Sequence, residues 1–162
     1  MKKIGVGLLF AVVALLFAAC SVAPIFNFEG DLETAREVPD LVVPAPNAMG
    51  EVTAVLNQAE TQLTVSGTFS GLTGPAQAAH VHLGEEGIAG GVVCTLSITN
   101  AASGTVSGTC PVMVDEQNPV DSGTINLEGL RGGDYYVNVH TEANGSGEIR
   151  AQLEAAAGDA TE

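Results

Sequence analysis

The chain has only three histidines in 162 residues. Two stand two residues apart in Ala78-Ala79-His80-Val81-His82-Leu83-Gly84. The third closes the run Tyr135-Tyr136-Val137-Asn138-Val139-His140. A neutral imidazole carries a nitrogen lone pair that binds zinc or copper. On a β-strand, residues i and i+2 face the same side, so His80 and His82 project together while Ala79, Val81 and Leu83 point into a core. The same parity groups Tyr136, Asn138 and His140 on one face, opposite Tyr135, Val137 and Val139. If the two strands are neighbours, three imidazoles converge on one point and leave a fourth coordination position open. Asn138, Glu142 and Glu85 are candidates for acceptors that would orient the rings. The competing reading of a His-x-His pair is an exposed strand face with no ligand. The concentration of all three histidines at strand ends favours the metal.

The elements that must position these residues are β-strands. Residues Ile25 to Leu32 read as a first strand, which Val38-Pro39-Asp40 breaks. From residue 50 apolar side chains alternate with polar ones: Val52, Ala54 and Leu56; Leu63, Val65 and Gly67; Val92, Cys94 and Leu96; Val106, Gly108 and Cys110; Ile149, Ala151 and Leu153. Turns rich in Gly, Asn and Ser separate these runs. Seven or eight short strands at this spacing predict an all-β fold, an antiparallel sandwich or Greek-key barrel. Residues 122–131 fit neither period well and are expected to hold a short turn of helix.

The ends carry different information. Met1-Lys2-Lys3 precedes an apolar run from Ile4 to Ala19, too short for a comfortable membrane span and suited to a secretory signal. Its end, Leu16-Phe17-Ala18-Ala19-Cys20, resembles the bacterial lipobox. That resemblance implies cleavage before Cys20 and a lipid on its thiol. It divides the chain into a signal peptide (1–19), a lipidated tether (20–25), a domain (26–154) and a flexible tail (155–162). The product would be anchored to a bacterial membrane in the cell envelope, outside the cytoplasm, and more than one acyl chain would make that anchoring stable. Beyond residue 19 there are three arginines, no lysine and 19 acids, a net charge of −16. A field of that sign argues against nucleic acid as a partner. Cys94 and Cys110 would then lie in an oxidising compartment, where a pair is expected to bridge. A free thiol pair binding a metal is the alternative.

Several segments together resemble the CHRD domain, first described in chordin and common in bacterial secreted proteins. They are Ser66-Gly67-Thr68-Phe69-Ser70-Gly71-Leu72, Ala79-His80-Val81-His82-Leu83-Gly84, Gly132-Gly133-Asp134-Tyr135-Tyr136-Val137-Asn138-Val139-His140-Thr141 and Gly147-Glu148-Ile149-Arg150-Ala151-Gln152. The resemblance covers residues 26–154. Ala151 stands where glycine is common.

A remoter resemblance bears on chemistry. His80-Val81-His82 on one strand, His140 at a later strand end and Gly147-Glu148-Ile149-Arg150 opening the last strand resemble the copper–zinc superoxide dismutases. That family is an antiparallel Greek-key β-sandwich. The resemblance implies one copper per chain on His80, His82 and His140. It implies that Arg150 guides the superoxide anion and hydrogen-bonds it beside the metal, and that the Cys94–Cys110 bridge stabilises the fold. No fourth histidine is left to bridge copper to zinc, and the long zinc loop is missing, so zinc is the less expected metal. For Arg150 the competing role is an ion pair with Glu148 or Glu142.

Three functions remain open from sequence. One is a lipid-anchored copper protein with superoxide dismutase-like antioxidant activity. Another is a metal-binding protein without catalysis. The third is a protein-interaction domain of the envelope, as chordin-type repeats suggest. A hydrolase has little support, because no Gly-x-Ser-x-Gly elbow is present. Asn144-Gly145-Ser146 fits a glycosylation sequon.

Overall fold

The computed structural model of the protein describes residues 26–114 and 123–157. The segments read as signal peptide and tether, Cys20 included, lie outside the described residues, as do residues 158–162 of the tail. The strands run in chain order as β1 (Phe26–Glu33), β2 (Met49–Leu56), β3 (Gln62–Ser70), β4 (Ala76–Leu83), β5 (Val92–Ile98), β6 (Gly104–Met113), β7 (Ile125–Asn126), β8 (Tyr135–Thr141), β9 (Ile149–Gln152) and β10 (Glu154–Ala155). A single 3-10 turn, Thr34–Arg36, comes after β1.

Eight strands pair in the order β1-β2-β3-β6-β5-β4-β8-β9, and Glu33 on β1 pairs with Arg150 on β9. The sheet thereby meets itself as an antiparallel barrel or closed sandwich, which leaves few free edges. Strand β10 continues β9 along β1. Ala155 pairs with Phe28 there, one residue into the stretch read as tail. The chain leaves β3 and returns as β4 three places away, then walks back through β5 to β6.

Alternation sets the inside. Val52, Ala54 and Leu56 on β2, Leu63 and Val65 on β3, and Val137 and Val139 on β8 are all buried. Each fully buried leucine among them contributes about 1.5–3 kcal/mol relative to exposure. Ala79 and Val81 point inward as their parity requires. One alternating run departs from the sequence reading. A register shift between Val81 and His82 opposite β5 turns Val93 inward and leaves Val92 exposed. A bulge inserts one residue and so inverts the parity beyond it.

The expected helical turn exists as α1 (Leu127–Gly132). Asn126 caps its start by accepting from the Gly129 N–H, and Gly133 ends it in the left-handed region at φ 80°. Leu127 and Leu130 are buried against the barrel. Cys94 and Cys110 form a disulfide with a Cα–Cα distance of 5.9 Å. The bridge staples the seam between β5 and β6, whose ladder consists of only Ser97↔Ser107 and Ile98↔Val106. The thiol alternative at these positions is thereby set aside.

The outer face of β4, β8 and β9 is largely covered, open only in part at His80 and His140. The 34–48 segment and the 84–91 and 142–148 loops fold over it. Tyr136, Asn138, Arg150 and Gln152 point outward from the barrel yet are 5% exposed or less. A polar layer is thus enclosed between the sheet and its covering loops.

Candidate metal centre

Strands β4 and β8 are antiparallel neighbours. Their register places His80 opposite Asn138, His82 opposite Tyr136 and Ala78 opposite His140. All three histidines therefore share the outer face. Their ring centroids lie 5.6 Å (His80–His82), 5.0 Å (His80–His140) and 5.7 Å (His82–His140) apart. One ring nitrogen from each falls within 4.8 Å of the others. The sequence expectation of convergence is met by the geometry.

Hydrogen bonds decide which nitrogens face inward. His82 Nδ1 lies 3.0 Å from the Gly90 carbonyl oxygen, and His140 Nδ1 lies 3.1 Å from that of Gly145. A carbonyl oxygen only accepts, so both Nδ1 atoms carry the proton and both Nε2 atoms keep a lone pair. His82 Nε2 is buried and has no hydrogen-bond partner. His140 Nε2 lies 3.1 Å from His80 Nδ1. Two ligands at about 2.0–2.1 Å from one ion and 3.1 Å from each other subtend an angle near 100°, close to tetrahedral. Because His140 Nε2 can only accept, His80 Nδ1 donates to it in the metal-free protein; a metal held by His80 Nδ1, His82 Nε2 and His140 Nε2 would replace that proton, which moves to His80 Nε2.

Electrostatics favour neutral rings. Burial lowers the pKa of His80 and of His82, and at His82 the charges of His80 and Arg150 add to the effect. His140 is pushed down to about 4, first by burial and then by the neighbouring His80. All three are unprotonated at neutral pH and able to bind a cation. His82 is buried, whereas His80 and His140 are half-buried and form the open side. Three neutral imidazoles with one buried, unpartnered nitrogen fit a borderline-soft ion such as copper or zinc.

The groups that orient the rings are the backbone carbonyls of Gly90 and Gly145, not the side chains of Asn138, Glu85 or Glu142. Asn138 instead donates from Nδ2 to Glu37 Oε2 (3.3 Å) and to the Ser146 carbonyl (3.4 Å). Its Oδ1 and Glu37 Oε1 are buried without partners. Glu37 is 5% exposed, and burial raises its pKa to about 7 against the hydrogen bond from Asn138 and the charge of Arg150. The backbone of Gly147 closes over this pair. A Cβ there would collide with Asn138 Nδ2 and with Glu37 Oε2. Sequence reasoning missed Glu37 as a buried acid, because only the return of the 34–48 segment over β8 buries it.

Arg150 lies in the same layer, 1% exposed. Its guanidinium donates to the carbonyls of Ile88 (3.0 Å) and Glu85 (2.8 Å) and to Gln152 Oε1 (3.0 Å). It stacks over Tyr136, 3.5 Å from the ring centroid. The alternative partner Glu148 is occupied elsewhere. Its buried carboxylate accepts from the Thr73 N–H and Oγ1, both at 2.6 Å, from Thr141 Oγ1 and from Asn144 Nδ2. Asn144 is 1% exposed and also bonded to Val43, so the sequon there has no accessible amide.

A family model described as CHRD domain matches residues 28–153. No curated protein and no solved structure matches the chain.

Proposed function

From the premise that this chain belongs to the CHRD domain family, we propose that it is an envelope protein, lipid-anchored through Cys20, that binds one copper ion and removes superoxide. The observation that carries the reading is the convergence of three neutral imidazoles, with His82 Nε2 buried, unpartnered and aimed at the other two. Copper would supply the one-electron exchange that converts two superoxide ions and two protons to O₂ and H₂O₂. The chain's own residues do the rest. Gly90 and Gly145 hold two rings by their carbonyls, so little reorganisation accompanies binding. His80 and His140 are half-buried, so the side of the site they form is the one a small anion would approach. Arg150 supports anion approach through its charge, which reaches His82, because its own N–H groups are engaged with the 84–91 loop.

The strand order β3-β6-β5-β4 supports a Greek-key reading of the barrel and its likeness to the superoxide dismutase sandwich. The Cys94–Cys110 bridge suits an oxidising compartment. A second reading, metal binding without turnover, is favoured by the excess of 19 acids over three arginines beyond residue 19, which opposes superoxide at long range.

Titration of the metal-stripped protein with copper and with zinc tests the site. One tight copper per chain, lost in His82→Ala, is expected. Superoxide removal by the copper-loaded protein, abolished in the same variant, separates the first reading from the second. Activity unchanged in His82→Ala would overturn the assignment. The absence of any tight metal would return the histidines to structure and put the protein-interaction reading first.

A further inference from the structure

Tyr136 is built against one of the three imidazoles. Its ring stacks on His82 with centroids 4.9 Å apart and planes within 10°. Its hydroxyl accepts from the Gly90 N–H at 3.1 Å. The carbonyl of that same residue accepts from His82 Nδ1 at 3.0 Å. Tyr136, Gly90 and His82 therefore close a ring of contacts. Only glycine fits at position 90, since a Cβ there would collide with the Leu83 carbonyl oxygen.

The ring is braced from behind. Strand β8 lies between β4 and β9, and Tyr136 pairs with His82 on one side and Gln152 on the other. Arg150, from β9, sits over the tyrosine and grips the loop by the carbonyls of Glu85 and Ile88. Gln152 Nε2 holds the Gly84 carbonyl at 2.8 Å, and its Oε1 accepts from Arg150. Imidazole, phenol and guanidinium thus form a stack beneath one loop. A cation over an aromatic face is attracted by its quadrupole, and more strongly when shielded from water.

We propose that Tyr136 and Arg150 are positioning residues, which use the 84–91 loop as a clamp to hold His82 in its Nδ1–H tautomer with Nε2 facing the other two histidines. Without the clamp, His82 has no fixed acceptor for Nδ1, and rotation or tautomer exchange would turn the wrong nitrogen to the site. The clamp strengthens metal binding without touching the metal. Its affinity consequence rests on the metal-site reading; the tautomer consequence does not.

The test uses Tyr136→Phe, which keeps the ring and removes only the hydroxyl, and Arg150→Lys, which keeps a charge and loses the planar fork. Nitrogen-15 NMR of metal-stripped protein reads the His82 tautomer directly. Wild type is expected to show Nδ1–H alone, and Tyr136→Phe a mixture of tautomers. Zinc and copper titrations of the same proteins are expected to show about ten- to hundred-fold weaker binding in both variants, the range for lost ligand-orienting contacts. Urea unfolding of the metal-free proteins identifies a merely structural effect. Weaker binding with the tautomer unchanged and stability lowered would overturn the clamp, as would wild-type affinity and a single Nδ1–H tautomer in Tyr136→Phe. If wild type binds no metal, the proposed function fails, and the NMR comparison still decides the clamp.

Discussion

The acid buried beside the candidate site offers a sharp test of the enclosed polar layer. Glu37 is 5% exposed, holds one hydrogen bond from Asn138 at 3.3 Å and leaves Oε1 without a partner. Burial raises its pKa from 4.5 to about 7. A carboxyl whose folded pKa is raised contributes stability that is fully present below pH 4.5 and lost as pH rises through 7. The gap is about 2.5 pH units, and each unit corresponds to about 1.4 kcal/mol. Between pH 5 and pH 8 the wild type should therefore lose about 2.5 kcal/mol through this one group. Glu37→Gln keeps the shape and never ionises. At pH 5 the two proteins should unfold at similar urea concentrations. At pH 8 the variant should be the more stable, with a midpoint higher by roughly 0.8–2.5 M for a urea slope of about 1–3 kcal/mol per M. A chelator in the buffer removes any contribution from bound metal. Comparing the two proteins cancels every other titrating group. Parallel pH profiles would refute the reasoning, since they would mean that Glu37 ionises as freely folded as unfolded.

Two other perturbations probe the frame around the site. Glu148 shows the opposite sign: burial pushes its pKa up, but hydrogen bonds from Thr141, Thr73 and Asn144 outweigh this and hold it below 4.5. Glu148→Gln points an amide at those donors and should cost about 2–3 kcal/mol at pH 7 by urea unfolding. Wild type and variant should converge as pH falls from 4.5 through the lower folded-state pKa, because a depressed carboxylate's stability is fully present above its unfolded pKa and is lost below it. Replacing Cys94 and Cys110 together by alanine opens a loop of sequence separation 16 and should cost about 3 kcal/mol. Faster hydrogen exchange in residues 92–96 and 108–112 should accompany that loss, because the β5–β6 ladder has only two residue pairs of its own.

Much of this arrangement was legible in the sequence where a rule is local. Period-two alternation marks the strands, and i, i+2 parity aligns His80 with His82 and turns Val81 inward. The Gly-rich stretches fall between strands, and the two cysteines form the expected pair. What parity cannot show is what lies over an outward face. Tyr136, Asn138 and Arg150 face away from the barrel as expected, but segments distant in sequence cover them. Asn138 meets Glu37, 101 residues earlier, and Arg150 meets Glu85 and Ile88, 65 and 62 residues earlier. No local pattern encodes such pairings. The bulge that exchanges Val92 for Val93 escaped for a related reason: one extra residue leaves the composition of a strand unchanged while inverting its faces.

The three arginines beyond residue 19 divide in a way that bears on the site. Arg36 reaches Glu33 and Glu86 at 3.1 and 2.9 Å, and Arg131 reaches Glu60, so both spend their charge on exposed ion pairs. Arg150 meets carbonyls, an amide and an aromatic face, none of which cancels a full charge. Glu37, a buried acid whose charge acts on it, is neutral through much of the range below pH 7. Arg150 therefore keeps its positive charge in the layer that adjoins the three histidines, while the buried carboxylate of Glu148 is held by its own donors, Thr73, Thr141 and Asn144. At His82 burial is the first cause of the lowered pKa, and the charge of Arg150 adds to it; the same charge opposes any cation at that nitrogen, so the metal must be held by the imidazole lone pairs. A buried cation with no matching anion is costly for a fold to retain. Its many hydrogen bonds offset that cost, and they are the same bonds that fasten the 84–91 loop over His82.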